Sequence, residues 1–152
     1  MPLVPGLRSP YVKVGRLVYF GRMLDKIRLH AASRLPAEYQ ANLGESRPHL
    51  FDARCCRFLG VPYVGLVTRT VPGGTDEEIL AWCEALRPTR TDEECQIWNR
   101  FMTKIGWRDD RSAVLPERIR EYGLVGKPIE TFFDLIDYDE GRDPVGARPW
   151  LW

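Results

Sequence analysis

The amino-acid sequence predicts an all-α fold: a compact single domain of about six to seven short helices with little or no sheet. Three features predict it. Apolar residues recur at helical spacing in several segments. Two T-x-x-E capping boxes mark helix starts. No segment shows the period-2 alternation between turn signals that strands need.

Residues 1–14 hold Pro2, Pro5, Gly6 and Pro10 and read as an extended arm. The first helix is expected from about Gly15 to Ser33, because Leu17, Phe20, Leu24, Ile27 and Ala31 make one apolar stripe. Pro36 opens a second, short helix and Gly44 stops it. Residues 45–50 read as a loop. Asp52 is the expected N-cap of a helix ending at Gly60. Pro62 starts the next, and Gly73-Gly74 ends it.

The capping boxes are Thr75 with Glu78 and Thr91 with Glu94. The helix after the first aligns Ile79, Trp82, Cys83 and Leu86 on one face. The helix after the second aligns Cys95, Trp98, Phe101, Met102 and Ile105, and Gly106 stops it. Trp107 is expected to plug a helix junction. Pro116 suits a first turn, so a helix is expected from about Pro116 to Tyr122. The last helix should start near Pro128, with Ile129, Phe132, Phe133 and Ile136 facing the core. Residues 15–140 form the expected helical domain, and 141–152 an irregular tail.

Composition narrows the function classes. With 44% hydrophobic and 28% charged residues, the 152-residue chain is near the globular average. The longest uncharged stretch, Phe58 to Thr68, is too short to span a bilayer. The first residues resemble no signal peptide, so a cytoplasmic location is expected. Cys55, Cys56, Cys83 and Cys95 show no C-x-x-C spacing, so reduced thiols are expected, with no metal and no cofactor.

The net charge of +1 hides an asymmetry: residues 1–36 carry seven bases and one acid, whereas residues 71–152 carry eleven bases and seventeen acids. The basic segment can serve an anion, or it can pack against the acidic half and be neutralised there. Nucleic acid is disfavoured, because its binders usually carry a basic balance over the whole domain.

Several blocks carry a resemblance: Leu17-Val-Tyr-Phe-Gly-Arg-Met-Leu-Asp-Lys-Ile-Arg, Phe51-Asp-Ala-Arg-Cys-Cys-Arg-Phe-Leu-Gly, Gly73-Gly-Thr-Asp-Glu-Glu-Ile-Leu, Trp98-Asn-Arg-Phe-Met and Thr131-Phe-Phe-Asp-Leu-Ile-Asp. Over about residues 6–142 the chain resembles a bacterial family, domain of unknown function 5069. The resemblance implies a stand-alone bacterial domain and brings no catalytic residues with it.

Three constellations can carry chemistry. On the first helix, Arg22 and Lys26 lie one turn apart, with Tyr19, Asp25, Arg28 and His30 around them. Such a face can hold a phosphate or carboxylate, and Tyr19 and His30 can move protons. It can equally be a solvated face with Asp25 paired to Arg22 and Arg28. Because Val18, Met23 and Leu29 interleave with these charges, some must be buried or paired, and the acidic helices can supply the partners.

The second constellation is His49, Asp52, Cys55 and Cys56. A thiol near a helix N-terminus beside Arg54 and Arg57 would have a lowered pKa; small core-packing cysteines are the plainer alternative. The third is Asp134, Asp137, Asp139 and Glu140, either a cation site or an arginine-paired surface.

The reading that follows is a cytoplasmic binding module. It takes an anionic small molecule or an acidic partner through Arg22, Lys26, Asp25, Arg28 and Arg54. The alternatives are a small enzyme or redox-responsive protein using Cys55, Cys56, Asp52, His30 and Tyr19, or an interaction domain. In the last, Trp150 and Trp152 of the tail dock on their own chain or form a homodimer contact.

Overall fold

The computed structural model describes residues 3–148. It is helical, with seven α-helices and two 3₁₀ segments and no strand among the described residues. The order is α1 (Phe20–Ala31), a 3₁₀ helix (Ala37–Asn42), α2 (Phe51–Leu59), α3 (Tyr63–Thr70), α4 (Asp76–Leu86), α5 (Asp92–Lys104), α6 (Val114–Glu121), α7 (Phe132–Asp139) and a second 3₁₀ turn (Pro144–Ala147). Trp150 and Trp152 lie outside the described residues. No described helix is long and apolar enough to cross a membrane.

Helix α1 is the centre. Every residue from Phe20 to Ile27 is buried, charged ones included. It packs on α3, which also meets α2 and α4, while α5 lies against α7. Their apolar faces meet in one cluster containing Phe20, Met23, Leu24, Leu66, Ile79, Met102 and Phe133. The arm is not peripheral. Tyr11 and Val14 join that cluster, and Val4 and Leu7 pack with Leu29, Leu35 and Tyr39 in a second one. Ser9 Oγ donates to Asp137 at 2.7 Å and the Tyr11 hydroxyl to Asp134 at 2.7 Å, which ties the arm to α7.

Both capping boxes form, each with reciprocal bonds between the Thr side chain and the N3 Glu. Gly60 ends α2 in the left-handed conformation, as its position predicts. Several boundaries differ from expectation. Helix α1 starts at Phe20, not Gly15, because Val14 and Leu17 pair across a tight turn at Gly15. It ends at Ala31, before Ser33 at a φ of 56°. The segment after Pro36 winds as 3₁₀. Helix α6 begins at Val114, which places Pro116 inside its first turn, where a missing N–H costs no bond. Helix α7 starts at Phe132, because the Thr131 hydroxyl caps it by accepting from Asp134 N at 3.2 Å. The tail is not wholly irregular, since Pro144–Ala147 closes a 3₁₀ turn.

Two aromatic expectations are corrected. Phe101 sits at the edge of the α5 stripe and is 51% exposed, with the Arg54 guanidinium 5.4 Å from its ring centroid. Trp107 plugs nothing: it is 47% exposed and lies under Arg108.

Gly106 shows how local backbone sets the cleft described below. Its φ is +100°, and a Cβ there would approach Phe132 Cδ2 at 2.9 Å. Gly106→Ala should therefore lower unfolding free energy by about 1 kcal/mol or more, whereas Thr91→Ala removes one cap at a cost of about 0.5–2 kcal/mol. Urea denaturation of the two variants measures both effects.

Candidate functional site

An open cleft of about 260 Å³ lies beside α1. Its floor is α1 and the residue before it: Tyr19, Arg22 and Lys26. The first 3₁₀ helix contributes Tyr39 and Asn42, and α7 contributes Phe132, Ile136 and Glu140. Arg47 and His49 from the loop, Arg54 from α2 and Arg111 before α6 form the rim.

The floor is ionic and buried. Arg22 is only 4% exposed. Its Nη1 and Nη2 donate to Glu140 Oε1 and Oε2 at 2.8 and 2.6 Å, a two-pronged pair. Tyr39 donates its hydroxyl to the same carboxylate at 2.8 Å, and Arg142 adds a further ion pair. Burial works against both charges of the pair. Arg22, Tyr39 and Arg142 outweigh it for Glu140, whose pKa stays below its ordinary 4.5. Burial likewise opposes the charge of Arg22, yet Glu140 raises its pKa.

The second buried pair is Lys26 with Asp52, Nζ to Oδ1 at 2.7 Å. Lys26 Nζ also donates to the Tyr19 hydroxyl at 2.8 Å and to the Asn42 carbonyl at 3.2 Å. Tyr19 donates in turn to Asp52 Oδ1 at 2.7 Å, and Gly44 N donates to Oδ2 at 2.9 Å. Lys26 is 3% exposed and Asp52 fully buried. Desolvation lowers the Lys26 pKa; Asp52 opposes this and Arg22 adds to it. Burial, then the charge of Asp52, pushes the Tyr19 phenol well up.

Tyr19 reaches this network from a backbone φ of 68°, a left-handed conformation that costs a bulky residue on the order of 1–2 kcal/mol. Such strain persists only where the surroundings enforce it, here Phe51 and Phe133 against the ring.

The rim is different in kind. Arg47 donates to the Ala41 carbonyl and Arg54 to that of His49, while Arg111 lies over the Phe132 ring. No carboxylate among the described residues lies within ion-pair distance of these three guanidiniums. Arg54 has a lowered pKa through burial and then Arg57, with Arg111 adding and Asp110 partly offsetting. Burial and then Arg111, Arg47 and Arg54 hold the His49 pKa below 6.5.

Of the residues singled out by sequence, Tyr19, Arg22, Lys26, His49, Arg54, Asp139 and Glu140 line the cleft, and Asp52 stands behind it, bonded to Tyr19 and Lys26. Asp25 and Arg28 belong elsewhere, in a network with Arg8 and Asp76. Arg22 does not pair with Asp25; its partner is Glu140. His30 is exposed and outside the cleft.

Asp52 is not an N-cap. Leu50 holds that position and Asp52 is the second helical residue, its carboxylate turned to Tyr19 and Lys26. Cys55 and Cys56 are packed in the core, and desolvation raises both thiol pKa values, the reverse of the expected direction. The helix terminus and Arg54 and Arg57 are outweighed by an apolar surround.

Of the acidic set, Asp134 pairs with Arg148, Arg142 bridges Asp137 and Glu140, Glu140 also holds Arg22, and Asp139 lines the cleft. No group of three or more His, Cys, Asp or Glu among the described residues is arranged to hold a metal. Sequence reasoning missed Tyr39, Arg47 and Arg111, whose only signal was their residue type.

A helical protein with a charge-paired floor beneath a cationic cleft is thus the class that the fold and the site define. The chain belongs to the family described as Domain of unknown function (DUF5069), whose model matches residues 4–142. Among curated proteins none matches the chain.

Two outcomes test this geometry. Glu140→Gln leaves the buried Arg22 without its counter-charge and should cost about 3–5 kcal/mol in urea denaturation at neutral pH. The wild type should lose the Glu140 contribution as pH falls from 4.5 towards the lower folded-state value, because there the unfolded carboxyl binds its proton first. The second outcome concerns the thiols. Cys55 and Cys56 should react with a disulfide reagent only at the rate of unfolding; rapid labelling of either at neutral pH would contradict the packed arrangement.

Proposed function

We propose that this protein is a binding module for a small anionic molecule, one bearing a carboxylate or phosphate, held in the cleft above Arg22 and Lys26. The observation that carries the reading is the convergence of Arg47, Arg54, Arg111 and His49 on one concavity without carboxylate partners. Like charges held together in a fold are relieved when an anion enters, and guanidiniums match the geometry of carboxylate and phosphate oxygens.

Phe51, Phe132 and Ile136 supply an apolar wall beside the cations, suited to the carbon body of a metabolite. Arg22 and Lys26 contribute mainly through position, since both already hold buried carboxylates. The concave, small shape favours a compact ligand over nucleic acid. An acidic side chain of a partner protein offers the same chemistry and is the second source to test. Four buried thiols suit a reducing compartment, which supports a cytoplasmic location.

Isothermal titration with inorganic phosphate and with pyruvate tests the reading. Binding should weaken about tenfold or more in Arg54→Gln and in Arg111→Gln, the loss of one charge-assisted hydrogen bond. It should also weaken with added salt, since the rim is solvent-facing. Affinity should rise as pH falls towards and below 6.5, because a bound anion raises the pKa of His49 and so takes up a proton. Binding that is indifferent to both arginines would refute the assignment of the cleft.

A further inference from the structure

We propose that Lys26 is a nucleophilic lysine that forms an imine with the carbonyl carbon of a small oxo anion held by the cleft arginines. The inference rests on the anion-binding reading and adds a reaction to it.

The geometry is that of an activated amine. Lys26 is part of the cleft floor and its Nζ lies between Tyr19 and Asn42, two further cleft residues. Asp52 Oδ1 is 2.7 Å from the amine and the Tyr19 hydroxyl 2.8 Å away. Tyr19 and Asp52 are themselves hydrogen-bonded, so three groups able to exchange protons meet at one atom.

A lysine in water at neutral pH is almost wholly protonated and cannot attack. Desolvation and a neighbouring cation are the two established ways to change this. Lys26 has both: it is 3% exposed, and Arg22 lies one turn earlier on α1. Burial lowers its pKa, Arg22 assists and Asp52 opposes. The strained Tyr19 backbone, enforced by Phe51 and Phe133 against the ring, holds the phenol at this spot.

The step balances with these residues. Asp52 takes a proton from the ammonium, and the freed lone pair forms the C–N bond as the carbonyl π pair moves to oxygen. Tyr19 gives its proton to that oxygen and takes one from the nitrogen, leaving a neutral carbinolamine. Asp52 returns its proton to the hydroxyl, which departs as water while the nitrogen lone pair completes the C=N bond. An ammonium and a carbonyl have become an iminium and water. The cation beside Asp52 is therefore kept, and no buried carboxylate is left unpaired. No oxidant or reductant is needed.

The whole chain holds only four lysines, Lys13, Lys26, Lys104 and Lys127. The other three are exposed, which provides internal controls. The full-length protein is incubated at neutral pH with pyruvate or with pyridoxal phosphate, reduced with borohydride, digested and mapped by mass spectrometry. Lys26 should carry the reduced adduct in at least about tenfold excess over the exposed lysines, in line with its lower pKa.

Inorganic phosphate should compete. Lys26→Arg keeps the cation beside Asp52 and should abolish the dominant adduct. If that variant does not fold, mapping on the wild type decides alone. Tyr19→Phe should slow trapping by about 100-fold at saturating pyruvate, a loss of rate that higher pyruvate does not restore, as it would for a tyrosine that only shaped the cleft. Adducts confined to the exposed lysines, with phosphate still binding in dependence on Arg54 and Arg111, would overturn the imine and leave the binding reading intact. Failure of phosphate and pyruvate to bind the cleft at all would overturn the binding reading, and the imine with it.

Discussion

The two-pronged ion pair between Arg22 and Glu140 is the interaction on which the arrangement depends. Arg22 belongs to the central helix and Glu140 to the C-terminal cap of α7, so one contact joins the middle of the core to the far end of the chain. A carboxylate at a helix C-terminus is disfavoured by the peptide dipoles, and burial disfavours it further. It is tolerated because two guanidiniums and a phenol converge on it. Arg22 also donates to the Arg8 carbonyl and Arg142 to that of Leu7, so the arm is drawn into the same junction.

Around that junction the protein separates two kinds of charge. Below the cleft every cation has its carboxylate: Arg22 with Glu140, Lys26 with Asp52. Among the described residues no buried side-chain nitrogen or oxygen lacks a partner. At the rim the arginines are supported by backbone carbonyls and aromatic faces instead. The floor therefore provides rigidity and fixed geometry, and the rim provides a net positive field, offset only in part by Asp110 and Asp109, open to solvent. A binding site built this way has a preorganised base and an attractive mouth. The proton-sharing set of Tyr19, Lys26 and Asp52 lies where the two regions meet.

Much of the fold was legible because its signals are local. Thr75 with Glu78 and Thr91 with Glu94 act within one helical turn, and both caps form. The stripe of α1 was readable, but its start was not. Leu17 is buried in a turn and so imitates the helical period without sharing the helical backbone. Phe101 failed for a related reason, since a stripe's edge is decided by how far the neighbouring helix reaches. Asp52 matched the composition of a cap, but its carboxylate is spent on residues far back in the chain.

What the sequence determined by itself was the helical class, most of the helix-ending glycines and the need for buried cations of the first helix to find acids in the later ones. What tertiary structure alone decided was which acids, and which residues gather at the cleft. Arg22 and Glu140 are 118 residues apart, and Tyr19 and Asp52 are 33 apart. Helical periodicity carries information over a few turns, whereas these pairings depend on how whole helices cross. The same distance effect reversed the expectation for Cys55: the terminus of its own helix favours a thiolate, but the apolar side chains brought in by other helices favour the thiol.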